Sequence, residues 1–308
     1  MVAYDPELLY RAHVSHDGRF DGRYFAGVIT TGIYCRPVCR ARAPKAENVL
    51  FFACAAAAEA AGFRPCMRCR PDSSPGTPAW QAAAETVSRA LRLIADGALD
   101  GDGGVDELAS RLAVSSRQLR RLFKQHLGAT PVEVAAARRT HFARRLIDET
   151  DMTMAQIAFA AGFESVRQFN HAMRETFRLT PTEMRRKRRR RRTNDDDDAL
   201  MLRLAYRPPL DWTTMAAFLR ARAIAGVEEV TAEAYRRTIA VDGRPGVVEL
   251  RLEPGESYLT LRLWVDWRHG LIDVVERARR IFDLTADPAA IGEALGDDPV
   301  LGPLVARR

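Results

Sequence analysis

Five cysteines lie within one stretch of the 308-residue chain, between residues 30 and 72. Four of them form two close pairs: three residues separate Cys35 from Cys39, and two separate Cys66 from Cys69. Twenty-six residues lie between the pairs, which is enough for a short helix and a strand. Cysteine pairs at this spacing are typical of a four-thiolate zinc site. The sequence therefore predicts Zn2+ as a cofactor, with Cys35, Cys39, Cys66 and Cys69 as its ligands.

Such a zinc site can have two roles, and the spacing does not decide between them. It can be purely structural, since zinc binding is worth on the order of 10–16 kcal/mol to a small domain. It can also supply a nucleophile, because the metal keeps the sulfurs as thiolates and the thiolate is the reactive form of cysteine. The fifth cysteine, Cys54, stands alone in an alanine-rich run, which favours a small core residue.

The segments TTGIYCRPVC, ENVLFF and AGFRPCMRCRPD resemble the N-terminal domain of the Ada-type DNA-repair methyl acceptors, over about residues 5–72. In that family the first cysteine of the first pair takes a methyl group from a methylphosphotriester in damaged DNA. The resemblance implies that Cys35 is both a zinc ligand and the catalytic acceptor. The product is a thioether that no step reverses, so the implied enzyme is a stoichiometric methylated-DNA–protein-cysteine methyltransferase.

The composition and the apolar patterning of the sequence indicate the cellular compartment. The chain is 47% hydrophobic and 28% charged, which is ordinary for a globular protein. No apolar run approaches the ~20 residues of a membrane helix, so no membrane partner is expected. The N-terminal MVAYDPELLY lacks the basic start and apolar core of a signal peptide. We therefore expect a cytoplasmic protein.

The charge is unevenly distributed along the chain. Residues 79–192 carry 22 Lys and Arg against 13 Asp and Glu, whereas residues 193–308 carry 15 against 20. A basic middle section beside an acidic tail indicates nucleic-acid binding by the middle section.

That middle section is predicted to be helical and internally repeated. Ser115 recurs as Ser165, and Thr130-Pro131 recurs as Thr180-Pro181, each 50 residues later. Two helix-turn-helix units joined by one helix over residues 132–148 explain the repeat, with Ser115 or Ser116 as an N-cap. Apolar spacing predicts these core residues: Leu119, Phe123, Phe163, Phe169 and Met173. His141 and His171 have no partner at metal-ligand spacing and are predicted to be surface or capping residues.

The segment IAFAAGFESVRQFNHAMRETFRLTP resembles the AraC-type regulator domain, over about residues 85–186. Arg178 stands where the family usually has glycine, and we expect a slightly altered turn there. Arg suits guanine or phosphate, and Asn or Gln suits adenine, although most such arginines touch phosphate or water. The candidate DNA-binding residues are Ser116, Arg117, Arg120, Arg121 and Lys124 in the first recognition helix and Ser165, Arg167, Gln168, Asn170 and His171 in the second.

The C-terminal part begins after the charged run RRKRRRRRTNDDDD, whose composition predicts a solvated linker. Its segments LRLAYRPPLDW, AYRRT, RRIFDLTADP and DDPVLGPL resemble the N-terminal domain of AlkA-type 3-methyladenine DNA glycosylases. In that family this domain precedes the catalytic domain, of which no motif follows here. The sequence is therefore expected to be a fragment or truncation of a longer fusion, and glycosylase activity is expected only in a longer parent chain.

These observations predict a multidomain α+β protein. Its expected domains are a zinc-bound αβ methyl-acceptor domain over 1–78, a double helix-turn-helix domain over 79–186, a charged linker over 187–198 and an α+β domain with an antiparallel sheet over 199–308. The family resemblance implies that the methylated protein binds promoter DNA and activates alkylation-repair genes, with RNA polymerase as a further partner. Two alternatives remain: a transcription regulator with a purely structural zinc site, and a fragment of a DNA-3-methyladenine glycosylase fusion.

Overall fold

A computed structural model describes residues 5–75, 85–100, 104–187, 199–241, 243–266 and 270–305. It confirms the predicted fold class of a small αβ unit, a helical middle and a C-terminal antiparallel sheet. Among the described residues, no helix combines the length and the apolar character that a membrane span requires.

The N-terminal unit places a four-stranded sheet between two short helices. Its elements are α1 (Pro6–Val14), β1 (Phe25–Val28), β2 (Ile33–Cys35), β3 (Val49–Phe52), α2 (Ala55–Ala60) and β4 (Arg64–Pro65). The strand order is β3-β1-β2-β4, with β2 and β4 parallel. The parallel pair aligns Tyr34 with Pro65. Because Cys35 and Cys66 each follow an aligned residue directly, this register brings the two cysteine pairs to one edge of the sheet.

The middle part is entirely helical. Its elements are α3 (Glu85–Ala95), α4 (Val105–Arg111), α5 (Ser116–Leu127), α6 (Pro131–Glu149), α7 (Met154–Ala160), α8 (Val166–Phe177) and α9 (Pro181–Lys187). The connecting helix α6 thus begins one residue before and ends one residue after its predicted bounds. The sequence predicts a first helix from about Trp80 to Ala95; its end agrees with α3, and its predicted start lies outside the described residues.

Side-chain caps fix the helix ends of both units. Ser115, rather than Ser116, caps α5 by accepting a hydrogen bond from the Gln118 N–H, and Ser165 caps α8 in the same way. Thr130 and Glu133 form a reciprocal capping box at the start of α6. The five predicted core side chains, Leu119, Phe123, Phe163, Phe169 and Met173, are all buried.

The turn at Arg178 keeps the conformation that glycine would adopt. Arg178 has φ 56° and ψ 25°, and Gly128, its counterpart after α5, has φ 77° and ψ 2°. Both are left-handed caps whose N–H groups bond a carbonyl four residues earlier, Arg174 and Lys124 respectively. The turn is therefore only slightly altered, at a conformational cost of about 1–2 kcal/mol for a residue with a Cβ.

The C-terminal part packs helices on one face of a five-stranded antiparallel sheet. Its elements are β5 (Leu200–Ala205), α10 (Trp212–Arg220), β6 (Glu228–Val230), β7 (Ala234–Val241), β8 (Arg244–Leu252), β9 (Tyr258–Trp264), α11 (Leu271–Ile281), α12 (Pro288–Gly296) and α13 (Gly302–Val305). The strand order is β5-β9-β8-β7-β6. Trp212 stacks on Phe282 at 4.9 Å and anchors α10 beside α11. The sequence predicts a turn at Asp242-Gly243, of which Asp242 lies outside the described residues. Of the linker predicted over 187–198, Lys187 ends α9 and the remaining residues lie outside the described ones.

The helix α6 contacts every part of the molecule. It packs against α2 and against the short 3-10 turn Pro71–Ser73 of the N-terminal unit. It also reaches the C-terminal sheet, where the Arg145 guanidinium donates to the Arg203 carbonyl and the Arg203 N–H donates to Glu149. The proline-, glycine- and serine-rich composition of residues 71–78 predicts a linker, but its start is built into the fold, with Pro71 and Asp72 buried.

Candidate metal centre and DNA-facing helices

The structure brings the four paired cysteines together. The Sγ atoms of Cys35, Cys39, Cys66 and Cys69 all lie within 4.8 Å of one another. The first three residues are buried and Cys69 is half-buried. The candidate cluster is therefore largely shielded from solvent, and Cys69 is its most exposed member.

Backbone hydrogen bonds shape both cysteine loops. The Cys39 N–H donates to the Arg36 carbonyl at 3.1 Å, which closes the first loop. The Cys66 N–H donates to the Tyr34 carbonyl at 3.0 Å and continues the parallel strand pairing. The Arg70 N–H then donates to the Cys66 carbonyl at 3.1 Å and closes the second loop. These bonds help to direct the four thiols to one point.

The cluster fits zinc. Four thiolates at about 2.3 Å from a tetrahedral Zn2+ would have their sulfurs roughly 3.8 Å apart, which the observed cluster can reach with small side-chain movements. A donor set of four sulfurs selects zinc over hard cations such as Mg2+ or Ca2+. Zn2+ is therefore the cofactor of this unit, and these four cysteines would hold it.

Hydrogen bonds link the four sulfurs when they carry protons. The hydrogen bond from Cys35 lowers the pKa of the Cys39 thiol to about 7 and also lowers the pKa of Cys66. Hydrogen bonding to Cys39 raises the pKa of Cys35 itself. Thiolate is the form of cysteine that ligates zinc, so a bound metal would take the place of the thiol protons.

The arginines that flank the cysteines are paired with carboxylates. Arg36 donates to both oxygens of Asp21, to the Cys69 carbonyl at 3.1 Å through Nη1, and to the Cys69 Sγ at 3.4 Å through its backbone N–H. Arg70 binds Asp72 and also Asp148 on α6. Much of the positive charge that the sequence places beside the cluster is therefore balanced locally. No spacing signal in the sequence identifies Asp21 or Asp148 as these partners.

The prediction that His141 is an ordinary surface or capping residue is wrong. Its side chain is only 13% exposed, and its Nε2 lies 2.6 Å from Glu59 and 3.2 Å from the Tyr34 hydroxyl. The Tyr34 hydroxyl also donates to Glu59 at 2.8 Å. His141 is on α6, whereas Tyr34 precedes Cys35, so this buried group joins the cysteine strand to the helix between the two helix-turn-helix units.

Cys54 lies away from the cluster, at the contact between α2 and α5. Its Sγ is 3.7 Å from the Leu127 carbonyl, and burial raises the pKa of its thiol to about 11. The residue is half-buried and packs against apolar side chains of both units. It belongs to an inter-domain contact rather than to the interior of one domain.

The predicted DNA-binding residues lie on open faces of α5 and α8. Eight are exposed: Arg117, Arg120, Arg121, Lys124, Ser165, Arg167, Gln168 and His171. Ser116 and Asn170 are half-buried. Ser165 and Gln168 also hold the start of α8, because the Ser165 Oγ accepts from the Gln168 N–H and the Gln168 side chain accepts from the Glu164 N–H.

Three protein-family models match consecutive parts of this chain. The metal binding domain of Ada matches residues 9–72, a helix-turn-helix domain matches residues 108–187, and the AlkA N-terminal domain matches residues 201–308. The first match contains all four clustered cysteines.

Curated proteins are similar to this chain over different lengths. The chain is 45% identical over 305 residues to a probable bifunctional transcriptional activator/DNA repair enzyme AlkA of Mycobacterium tuberculosis, covering 98% of this chain and 61% of the relative. It is 34% identical to the bifunctional transcriptional activator/DNA repair enzyme Ada of Escherichia coli, covering 57% of this chain and 48% of that protein. The chain thus spans about three-fifths of the mycobacterial relative.

Among solved structures, one similar to this chain is described as the crystal structure of the methylated N-ADA/DNA complex. It is 37% identical and covers 44% of this chain and 97% of its own, with a TM-score of 0.23.

Proposed function

Because this chain joins an Ada-type metal-binding domain, a helix-turn-helix domain and an AlkA-type N-terminal domain, we propose that it is an alkylation-response protein that both repairs DNA and regulates transcription. It takes a methyl group from methylphosphotriesters in double-stranded DNA and, once methylated, activates alkylation-repair genes. The observation that carries this proposal is the convergence of four sulfurs within 4.8 Å on a matched metal-binding domain.

Cys35 is the proposed acceptor. In the Ada-type family that the sequence resembles, the first cysteine of the first pair accepts the methyl group, and Cys35 holds that position within the matched metal-binding domain. Its Sγ is one of the four clustered sulfurs, so zinc would keep it as the reactive thiolate.

The reaction is a displacement at carbon. Zinc, when bound, supplies thiolates at neutral pH. The Cys35 Sγ forms a bond to the methyl carbon as the carbon–oxygen bond breaks, and the phosphodiester leaves with the electron pair. No proton moves, and the product is a thioether. Because a thioether is not reversed by hydrolysis, each protein molecule reacts once.

The same step provides a signal. Methylation removes one of the negative charges of the four-thiolate site, which reduces repulsion of nearby DNA phosphate. At about 4–6 Å and intermediate dielectric, one unit charge is worth roughly 1 kcal/mol or more. Binding becomes about tenfold tighter for each 1.4 kcal/mol. The exposed faces of α5 and α8 would read the promoter, with RNA polymerase as a further partner in the cytoplasm.

The test is the intact mass of the zinc-loaded protein after incubation with methylphosphotriester DNA, followed by peptide mapping. One added methyl group on Cys35 is the expected result. Cys35→Ser should gain none, whereas Cys54→Ser should react like the unmodified protein because Cys54 lies outside the cluster. An unmodified Cys35 in reacted samples would contradict the proposal and leave a regulator with a structural zinc site.

A further inference from the structure

A buried aspartate of the C-terminal part holds the loop that supports the metal centre. Asp287 is 1% exposed. Its two carboxylate oxygens accept from Nε and Nη2 of Arg23, at 2.5 and 2.6 Å. Arg23 belongs to the N-terminal unit, two residues after Asp21. The pair therefore joins parts of the chain that are 264 residues apart.

A second arginine strengthens the same junction. Arg207, which follows β5, is 6% exposed, and its Nε donates to the Asp21 backbone carbonyl at 3.1 Å. The same Nε lies 3.8 Å from Asp287, and Nη1 donates to the Thr285 carbonyl at 3.3 Å. Arg207 thus holds the Asp21 backbone in place while Asp287 holds Arg23.

Asp21 continues the network to the cysteine cluster. Its carboxylate accepts two hydrogen bonds from the Arg36 guanidinium, which also donates to the Cys69 carbonyl at 3.1 Å. The backbone N–H of Arg36 donates to the Cys69 Sγ at 3.4 Å. The route from Asp287 to the Cys69 sulfur therefore runs through the ion pair with Arg23, the short backbone segment from Arg23 to Asp21, the ion pair of Asp21 with Arg36, and the Arg36 N–H.

We propose that Asp287 and Arg207 of the C-terminal domain are positioning residues for the metal centre, acting through Asp21 and Arg36 on Cys69. This inference deepens the proposed function and rests on the cluster being its zinc site. Groups that hydrogen-bond to metal ligands orient the ligands, and their loss typically costs about 10–100-fold in metal affinity or activity. The C-terminal domain would then fix the geometry of the acceptor site as well as pack against it.

The test is the rate at which zinc passes from the full chain to a chromogenic chelator, with no DNA present. Asp287→Asn keeps a side chain that can cap α12 but removes the charge that pairs with Arg23. It should release zinc several-fold to about tenfold faster. Asp273→Asn is the matched control, because Asp273 pairs with Arg138 across another junction of the C-terminal domain at 3.2 Å. Equal acceleration by both variants, or by neither, would overturn the proposal.

A double-mutant cycle separates positioning from general loss of stability. If Asp287 acts through Arg36, adding Asp287→Asn to Arg36→Lys should accelerate zinc release by much less than it does alone. Additive effects would contradict this route. Arg207→Lys provides a second test of the junction if Asp287→Asn does not fold. Because zinc release needs no methylated DNA, this inference and the methyl-acceptor proposal can fail independently.

Discussion

The first helix-turn-helix unit, α4 and α5, and the second, α7 and α8, have matching local structure and different surroundings. Their N-caps, Ser115 and Ser165, are 50 residues apart, and each cap residue accepts from the N–H three positions later. The first unit packs with α3 in a core that is separate from that of the C-terminal sheet. The second shares one continuous core with the C-terminal sheet, including Leu202 and Leu261. Local sequence repeats therefore specify the helices, whereas the partner of each unit depends on distant residues.

The largest expected effect comes from truncating equivalent core residues. Phe177→Ala should lower the free energy of unfolding by about 3–5 kcal/mol, and Leu127→Ala by about 2–5 kcal/mol. Only the Phe177 variant should also loosen the C-terminal sheet, because Phe177 belongs to the shared core. Hydrogen exchange of peptides from β5 and β9 measures this difference. Equal loss of protection in both variants would show that the two cores are not separate.

The second prediction asks whether both units contact DNA. Arg117 and Arg167 are equivalent and exposed. Each change to alanine should weaken DNA binding and lower the slope of log affinity against log salt by about 1, as expected for one lost phosphate contact. Fluorescence anisotropy at several salt concentrations measures both slopes. If only one variant kept the salt dependence of the unmodified protein, the two units would contribute unequally to DNA binding.

A smaller effect is expected at the two left-handed turns. Arg178→Gly should stabilise the protein by up to about 1 kcal/mol, since glycine tolerates φ 56° without a steric penalty. Gly128→Ala should destabilise it by about 1 kcal/mol or more, because an added Cβ would lie 3.2 Å from the Ala57 Cβ. Chemical denaturation gives both values. If Gly128→Ala stabilised the protein instead, Ala57 on α2 would have to move easily away from the added Cβ.

The last prediction concerns α6, which both units share. Burial disfavours the charged form of His141, but its contact with Glu59 outweighs burial and raises the pKa above the usual 6.5. The protonated form therefore stabilises the fold fully below about pH 6.5, and this contribution is lost as the pH rises through the folded-state pKa. Compared with His141→Gln, the natural protein should lose more thermal stability between pH 6 and pH 8. If the natural protein and His141→Gln changed equally in thermal stability between pH 6 and pH 8, protonated His141 would not stabilise the fold.

Much of the candidate site follows from short-range sequence patterns. The spacing of Cys35 from Cys39 and of Cys66 from Cys69 predicts a cluster, which the structure shows. The repeat predicts both helix-turn-helix units and their caps. The contacts of His141 with Glu59 and of Asp287 with Arg23 could not be predicted in this way. Their partners are 82 and 264 residues apart, and an isolated His, Glu or Asp has no spacing that identifies its partner.

The length of α6 has a consequence for the promoter. At 1.5 Å per residue, its 19 residues form a rod about 28 Å long between the first unit and the second. One turn of B-DNA is about 34 Å long. Under the proposed DNA-binding role, this rod limits how far apart the two units can lie, so the promoter must present their two contact sites at a matching spacing along the duplex. Inserting half a turn of DNA between their contact sites would rotate the second site to the opposite face, where a rigid rod could not follow.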